Sequence, residues 1–158
     1  LGDYDLSIEA QQRAIELAPD DYYNWGHLAD AWRQAGVIEA AEMAYVKAIQ
    51  LVDEALAVNP KKAALIVARA KYEASLGHKD GIEEQLQRAL LLAPRSASVH
   101  SLAARSYMLL GDVGKALELV QRAAMLGESP YYIAADPDLA PLHGADVFVA
   151  LLPEEETD

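Results

Sequence analysis

The 158 residues contain no cysteine, which excludes disulfides and thiolate chemistry and leaves the redox compartment open. Basic residues are scarce: 13 Lys and Arg stand against 25 Asp and Glu, a formal net charge of −12. Such a surface repels phosphate backbones and anionic headgroups, so neither nucleic acid nor membrane is expected as a direct partner. Long apolar runs are missing too. Ala63 to Ala70 is interrupted by Arg69 and falls well short of a bilayer span. With no targeting segment visible, the expected location is cytoplasmic.

The chemistry-bearing patterns are equally thin. His27, His78, His100 and His143 sit singly, without metal-ligand spacing, and there is no Gly-rich phosphate loop, nucleophile elbow or HExxH pattern. Glu83-Glu84 and Glu154-Glu155 are side by side on an expected exposed helix and tail, where no facing partner tunes one as acid and the other as base. The expectation is therefore no catalytic residue, no metal and no cofactor: not an enzyme.

What the chain does have is a beat. Ala14, Ala48, Ala55, Ala89 and Ala123 step by 34, 7, 34 and 34 residues, and Gly2, Gly36, Gly77 and Gly111 by 34, 41 and 34. Gln11, Tyr45, Leu86 and Val120 follow the same steps as the glycines. The period is 34 with one insertion of seven. Almost nothing reads as strand. Pro19, Pro60 and Pro94 each follow an apolar helical run, and Gly36, Gly77 and Gly111 fall where a left-handed residue ends a helix. The pattern predicts helices over roughly 5–18, 22–35, 38–58, 61–76, 80–93, 97–110 and 113–126.

From Tyr22 to Ala55 the chain resembles the tetratricopeptide repeat: Trp25, Leu28, Ala29 and Trp32 on a first helix, Gly36 at the turn, and Ala41, Tyr45 and Ala48 on a second. The small residues stand where two helices approach closely, and the aromatics fill the space beside them as core. The resemblance implies an all-α, right-handed superhelical solenoid of antiparallel helix pairs, with about three and a half repeats and a C-terminal capping segment. The expected array runs over 1–127, as a half repeat 1–21 and repeats 22–60, 61–94 and 95–127; capping helices follow at 128–153 and an acidic tail at 154–158.

Three local departures refine that frame. Leu1 to Tyr4 match the turn before a second helix, so a half repeat is expected to open the chain. Its apolar side (Leu6, Ile8, Ile15, Leu17) would then be covered by upstream chain or by a second copy in a homodimer. The seven extra residues extend the helix from Ile38 to Val58 without a break, because nearly two whole turns shift its packing stripe by only ~20°. Tyr72 lies five residues before Gly77, whereas Trp32 and Tyr107 lie four before Gly36 and Gly111, leaving the register there open by one residue.

After Gly127 the beat stops. Ser129-Pro130 and Asp136-Pro137 both read as helix starts, and a last helix is expected over about 145–152. The run Asp136-Pro137-Asp138-Leu139-Ala140-Pro141-Leu142, followed by Phe148, resembles the closing segment of tetratricopeptide arrays in bacterial signalling proteins such as serine/threonine kinases, nucleotide cyclases and winged-helix regulators. Ala145-Asp146 replaces a second Asp-Pro. Ile133, Leu139, Leu142 and Phe148 are expected to cover the final repeat.

The resemblance implies a protein-protein interaction scaffold that binds a peptide or helix of a partner in a concave groove. The alternative is a regulatory, sensory or dimerisation region of a larger bacterial signalling protein. Groove positions carried onto this sequence include Tyr23, His27, Asp30 and Arg33 on one first helix, Lys71 on the next, and Ser101, Arg105 and Met108 on the third. Their ninth-position row, Asp30, Lys71 and Arg105, forms a locally basic strip. Either Lys71 pairs with Asp30 and the row is ordinary surface, or Lys71 and Arg105 receive an acid of the partner while Tyr23 and Met108 supply apolar contact.

Overall fold

A computed structural model describes residues 2–150, and among them every regular element is helical. The helices are α1 (Gly2–Leu17), α2 (Tyr22–Gln34), α3 (Ile38–Val58), α4 (Ala63–Ser75), α5 (Ile82–Leu92), α6 (Ala97–Leu110), α7 (Val113–Met125), α8 (Pro130–Ala135) and α9 (Asp146–Val149), with a 3-10 turn at Ala140–Leu142. The seven helices read from the 34-residue beat lie within two residues of their expected ends, except that α1 starts at Gly2. Leu1 to Tyr4 were expected as a turn, but Gly2, Asp3 and Tyr4 are helical. Asp5 stands near the start of that helix, where the dipole favours an acid.

The described residues form two compact units that divide between Lys61 and Lys62. In the first, α1 packs on α2 and α2 on α3. A three-residue connection between long helices in contact makes α2 and α3 antiparallel. Asp21 caps α2 by accepting from the Tyr23 amide at 2.9 Å. At the other end Gly36 adopts φ +78°, and the Val37 amide reaches back five residues to the Trp32 carbonyl at 2.8 Å. Leu28, Ala29, Ala41, Ala44, Tyr45 and Ala48 are all buried between the pair. The two tryptophans are only half-buried, and Trp25 uses its ring N-H to donate to the Pro19 carbonyl at 2.8 Å.

α3 is one helix of 21 residues, as its uninterrupted run of Ala, Leu and Glu dictates. Its fully buried stripe ends at Leu51 and Val52, Ala55 and Leu56 are half-buried, and Val58 is exposed. The insertion therefore lengthens the helix without lengthening its core. On α1, Leu6 and Leu17 are exposed and Ile8 and Ile15 half-buried, so the apolar side expected from the half repeat is open to solvent at both ends.

In the second unit α4 packs on α5 and α6, and α6 on α7. The turn after α4 settles the open register. The His78 amide bonds the Glu73 carbonyl at 3.1 Å, and the Asp112 amide bonds the Tyr107 carbonyl at 2.9 Å, the same five-residue reach as at Trp32. Glu73 therefore holds the place of the aromatic and Tyr72 is buried one position earlier. The vacated packing role becomes polar: Glu73 pairs with Arg69 at 2.8 Å and accepts from Gln85 on α5 at 3.2 Å.

The closing segment folds against this unit. Ser129 and Pro130 start α8 with the proline in its first turn. Asp136 does not start a helix as expected; it ends α8, and its side chain accepts from the Asp138 amide at 2.9 Å. This local bond takes the chain round a turn instead. Ile133, Leu139, Leu142 and Phe148 are buried, and α9 contacts α7. The expected continuation of the last helix to Leu151 and Leu152 and the acidic tail 154–158 lie outside the described residues.

Candidate functional site

The candidate residues lie on α2 in the first unit and on α4 and α6 in the second. On α2 the residues at 23, 27 and 30 share one face by helical spacing. Tyr23 is 53% exposed and meets His27 edge to face, with ring centroids 4.1 Å apart. Tyr22 stands edge-on to Tyr23 at 6.5 Å; its own burial, with the nearby Asp21 carboxylate, raises its phenol pKa. Asp30, one helical turn beyond His27, is buried. It accepts a hydrogen bond from the Tyr45 hydroxyl on α3, and that oxygen accepts in turn from Arg33 Nε at 3.2 Å. A buried carboxylate is costly unless hydrogen-bonded. Here the second helix of the same repeat supplies the donor, and the network ties α2 to α3 one helical turn from the Tyr23–His27 pair.

In the second unit the expected residues meet a different fate. Lys71 on α4 is 1% exposed, with its ammonium 5.6 Å from the Tyr72 ring centroid. On α6, Ser101 and Met108 are partly exposed. Between them Arg105 is clasped from the closing segment: Nε lies 3.1 Å from Asp136, and both Nε and a terminal nitrogen lie 3.3 Å from Asp138. Asp138 is nearly inaccessible, and its backbone is set by the Asp136 side chain, so the two acids are presented together.

The expected basic strip is therefore corrected. Asp30, Lys71 and Arg105 occupy equivalent repeat positions, but all three are buried or nearly so, and the arginine already holds two carboxylates of its own chain. Sequence reasoning missed Asp136 and Asp138 as its partners. The signal was present as two acids flanking Pro137, which places them on one tight turn, but nothing local pointed to Arg105 more than thirty residues away.

A second charged cluster joins α5 to α7. Lys115 Nζ lies 2.8 Å from Glu83 and 3.6 Å from Asp112, and 4.9 Å from the Tyr107 ring centroid. The hydrogen bond from Lys115 holds the Glu83 pKa below its ordinary value, and the same bond raises that of Lys115. Burial, reinforced by Glu83, pushes Tyr107 well above the usual phenol range. This cluster ties α5 to α7. Among the described residues no group of three or more His, Asp or Glu is placed to hold a metal, and no helix is long and apolar enough to cross a membrane.

A tetratricopeptide repeat family model matches residues 1–21. Among solved structures, MamA MSR-1 C2 is 26% identical, with 79% of this chain and 68% of that one covered at a TM-score of 0.43. A thermophilic TPR protein of Thermus thermophilus is 22% identical, with 96% and 91% covered at a TM-score of 0.47. No curated protein matches the chain. The family match is confined to the first 21 residues, and the 34-residue beat and the capped helix pairs into which that beat folds are similar to tetratricopeptide repeats.

Proposed function

We propose that the chain is a non-catalytic scaffold that takes a peptide or helix of a partner protein on the outward face of α2. The observation that carries this reading is Tyr23. It is a large aromatic more than half exposed on a helix tied to α3 by the Asp30, Tyr45 and Arg33 network. Rigid, partly open aromatics are the residue type on which binding energy concentrates. Ser101 and Met108 present smaller, softer surface on α6, where Arg105 serves the closing segment.

Panning a random peptide library against the folded chain tests this. The expected result is a set of enriched peptides whose binding weakens for Tyr23→Ala while the thermal midpoint stays put. Failure to enrich any peptide, or equal capture by Tyr23→Ala, removes the α2 face from this role.

A further inference from the structure

We infer that the segment received on the α2 face is cationic, rich in Arg or Lys; this deepens the scaffold reading and rests on it. The first observation is how the basic residues are used. Arg33 donates to Tyr45 within its own repeat, Lys71 is buried, and Arg105 is matched by two aspartates of the closing segment. The positions from which a groove would offer positive charge to an acidic partner are thus spent on internal structure.

The second is the charge that remains. Residues 1–61 hold 11 acids and 4 bases. At the start of α2 stand Asp20 and Asp21, both exposed, next to Tyr23. The helix N-terminus offers the equivalent of about half a positive charge, which two full carboxylates outweigh. Asp21 also accepts from the Tyr23 amide, so part of that positive end is already capped.

The third is the kind of surface these acids border. Tyr23 presents an open aromatic ring, with His27 against it at 4.1 Å. A guanidinium or ammonium over such a ring gains from the ring quadrupole and lies within reach of the adjoining carboxylates. An acidic segment would meet repulsion from the same groups. The long-range field agrees in sign, because a protein of net charge −12 steers cationic segments toward itself.

The test uses three labelled synthetic 12-residue peptides, alternating Arg-Ser, Glu-Ser and Gln-Ser, titrated into the full chain at near-physiological salt. The Arg-Ser peptide is expected to bind at least tenfold more tightly than the other two. Tyr23→Ala is expected to weaken it about three- to fivefold, the loss of one exposed cation–π contact. Because that substitution leaves every charge in place, general Coulomb attraction predicts no change. Tyr131→Ala, which removes another exposed tyrosine on α8, is expected to leave binding unaltered. Equal binding of Arg-Ser by the parent and by Tyr23→Ala overturns the inference, as does preference for Glu-Ser or Gln-Ser. If those peptides are preferred yet remain sensitive to Tyr23→Ala, the scaffold reading stands and only the charge assignment falls. If no library peptide and none of the three binds, both fall.

Discussion

Asp30 on α2 and Arg105 on α6 stand at the same place in two repeats, six residues before a left-handed glycine, and the chain satisfies them in different ways. Asp30 finds its donor inside its own repeat, in Tyr45 on the antiparallel neighbour. Arg105 finds its acceptors outside any repeat, on the turn that follows α8. An internal repeat can close its polar network within one helix pair, whereas the last one depends on the segment after it. The closing segment is thus more than an apolar lid. It supplies the counter-charge for the final first helix and, in doing so, engages Arg105 within the chain.

The most disruptive way to break this comparison is to remove one side of it. Deleting everything after Gly127 takes away Ile133, Leu139, Leu142 and Phe148 together with both aspartates, and removes the packing of α9 on α7. Each of the four buried side chains contributes roughly 1.5–3 kcal/mol, a large share of a marginal fold. The truncated chain should aggregate or unfold, and size-exclusion chromatography will show whether it does. A soluble, equally stable monomer would mean that the segment is not part of the core.

Next in size come changes where the helices touch. Ala48 and Ala116 are fully buried, one in each unit, and Ala48→Phe or Ala116→Phe should cost about 1–3 kcal/mol or more by overpacking. Denaturant titration measures both; an unchanged midpoint for either would place that alanine outside the helix contact.

A sharper contrast comes from the polar partners. Tyr45→Phe leaves Asp30 buried without its hydroxyl donor and should cost about 1–3 kcal/mol. That cost should appear with the closing segment intact, since the network lies within the first unit. Equal stability of Tyr45→Phe and the parent would show that Asp30 is satisfied without Tyr45.

The smallest expected effect is at the exposed α5–α7 cluster. Glu83 has its folded pKa depressed by Lys115, so its contribution is present above the ordinary glutamate pKa and is lost as pH falls through the lower folded value. Lys115→Gln should remove this part of the acid limb and little else, and high salt should abolish the difference between variant and parent. Parallel thermal melts between pH 3 and 7 at low and high salt would reveal it.

How much of this was legible in the sequence follows from the range of the forces involved. Helix ends were readable because Gly, Pro and cap residues act within a few residues of themselves. The uninterrupted α3 was readable because nothing in Ile38 to Val58 stops a helix. The burial of Ile133, Leu139, Leu142 and Phe148 followed from their apolar character after the last repeat. The candidate faces were less legible. Tyr23 and His27 share a face of α2 as the repeat frame implies, but burial of Lys71 and the clasp on Arg105 depend on packing and on contacts across thirty residues. At Glu73 the frame was right and the expected aromatic was not there, because a polar trio with Arg69 and Gln85 takes its place.

The measurement closest to the central claim, that the ninth-position charge of the last repeat is consumed by the closing segment, is the stability of Arg105→Glu. The substitution sets a third carboxylate against Asp136 and Asp138 and leaves nearly buried Asp138 without its cation, so chemical denaturation should show a loss of about 3 kcal/mol or more. Arg105→Glu unfolding at the parent's midpoint, with only partner capture reduced, would contradict the account and return Arg105 to the binding surface.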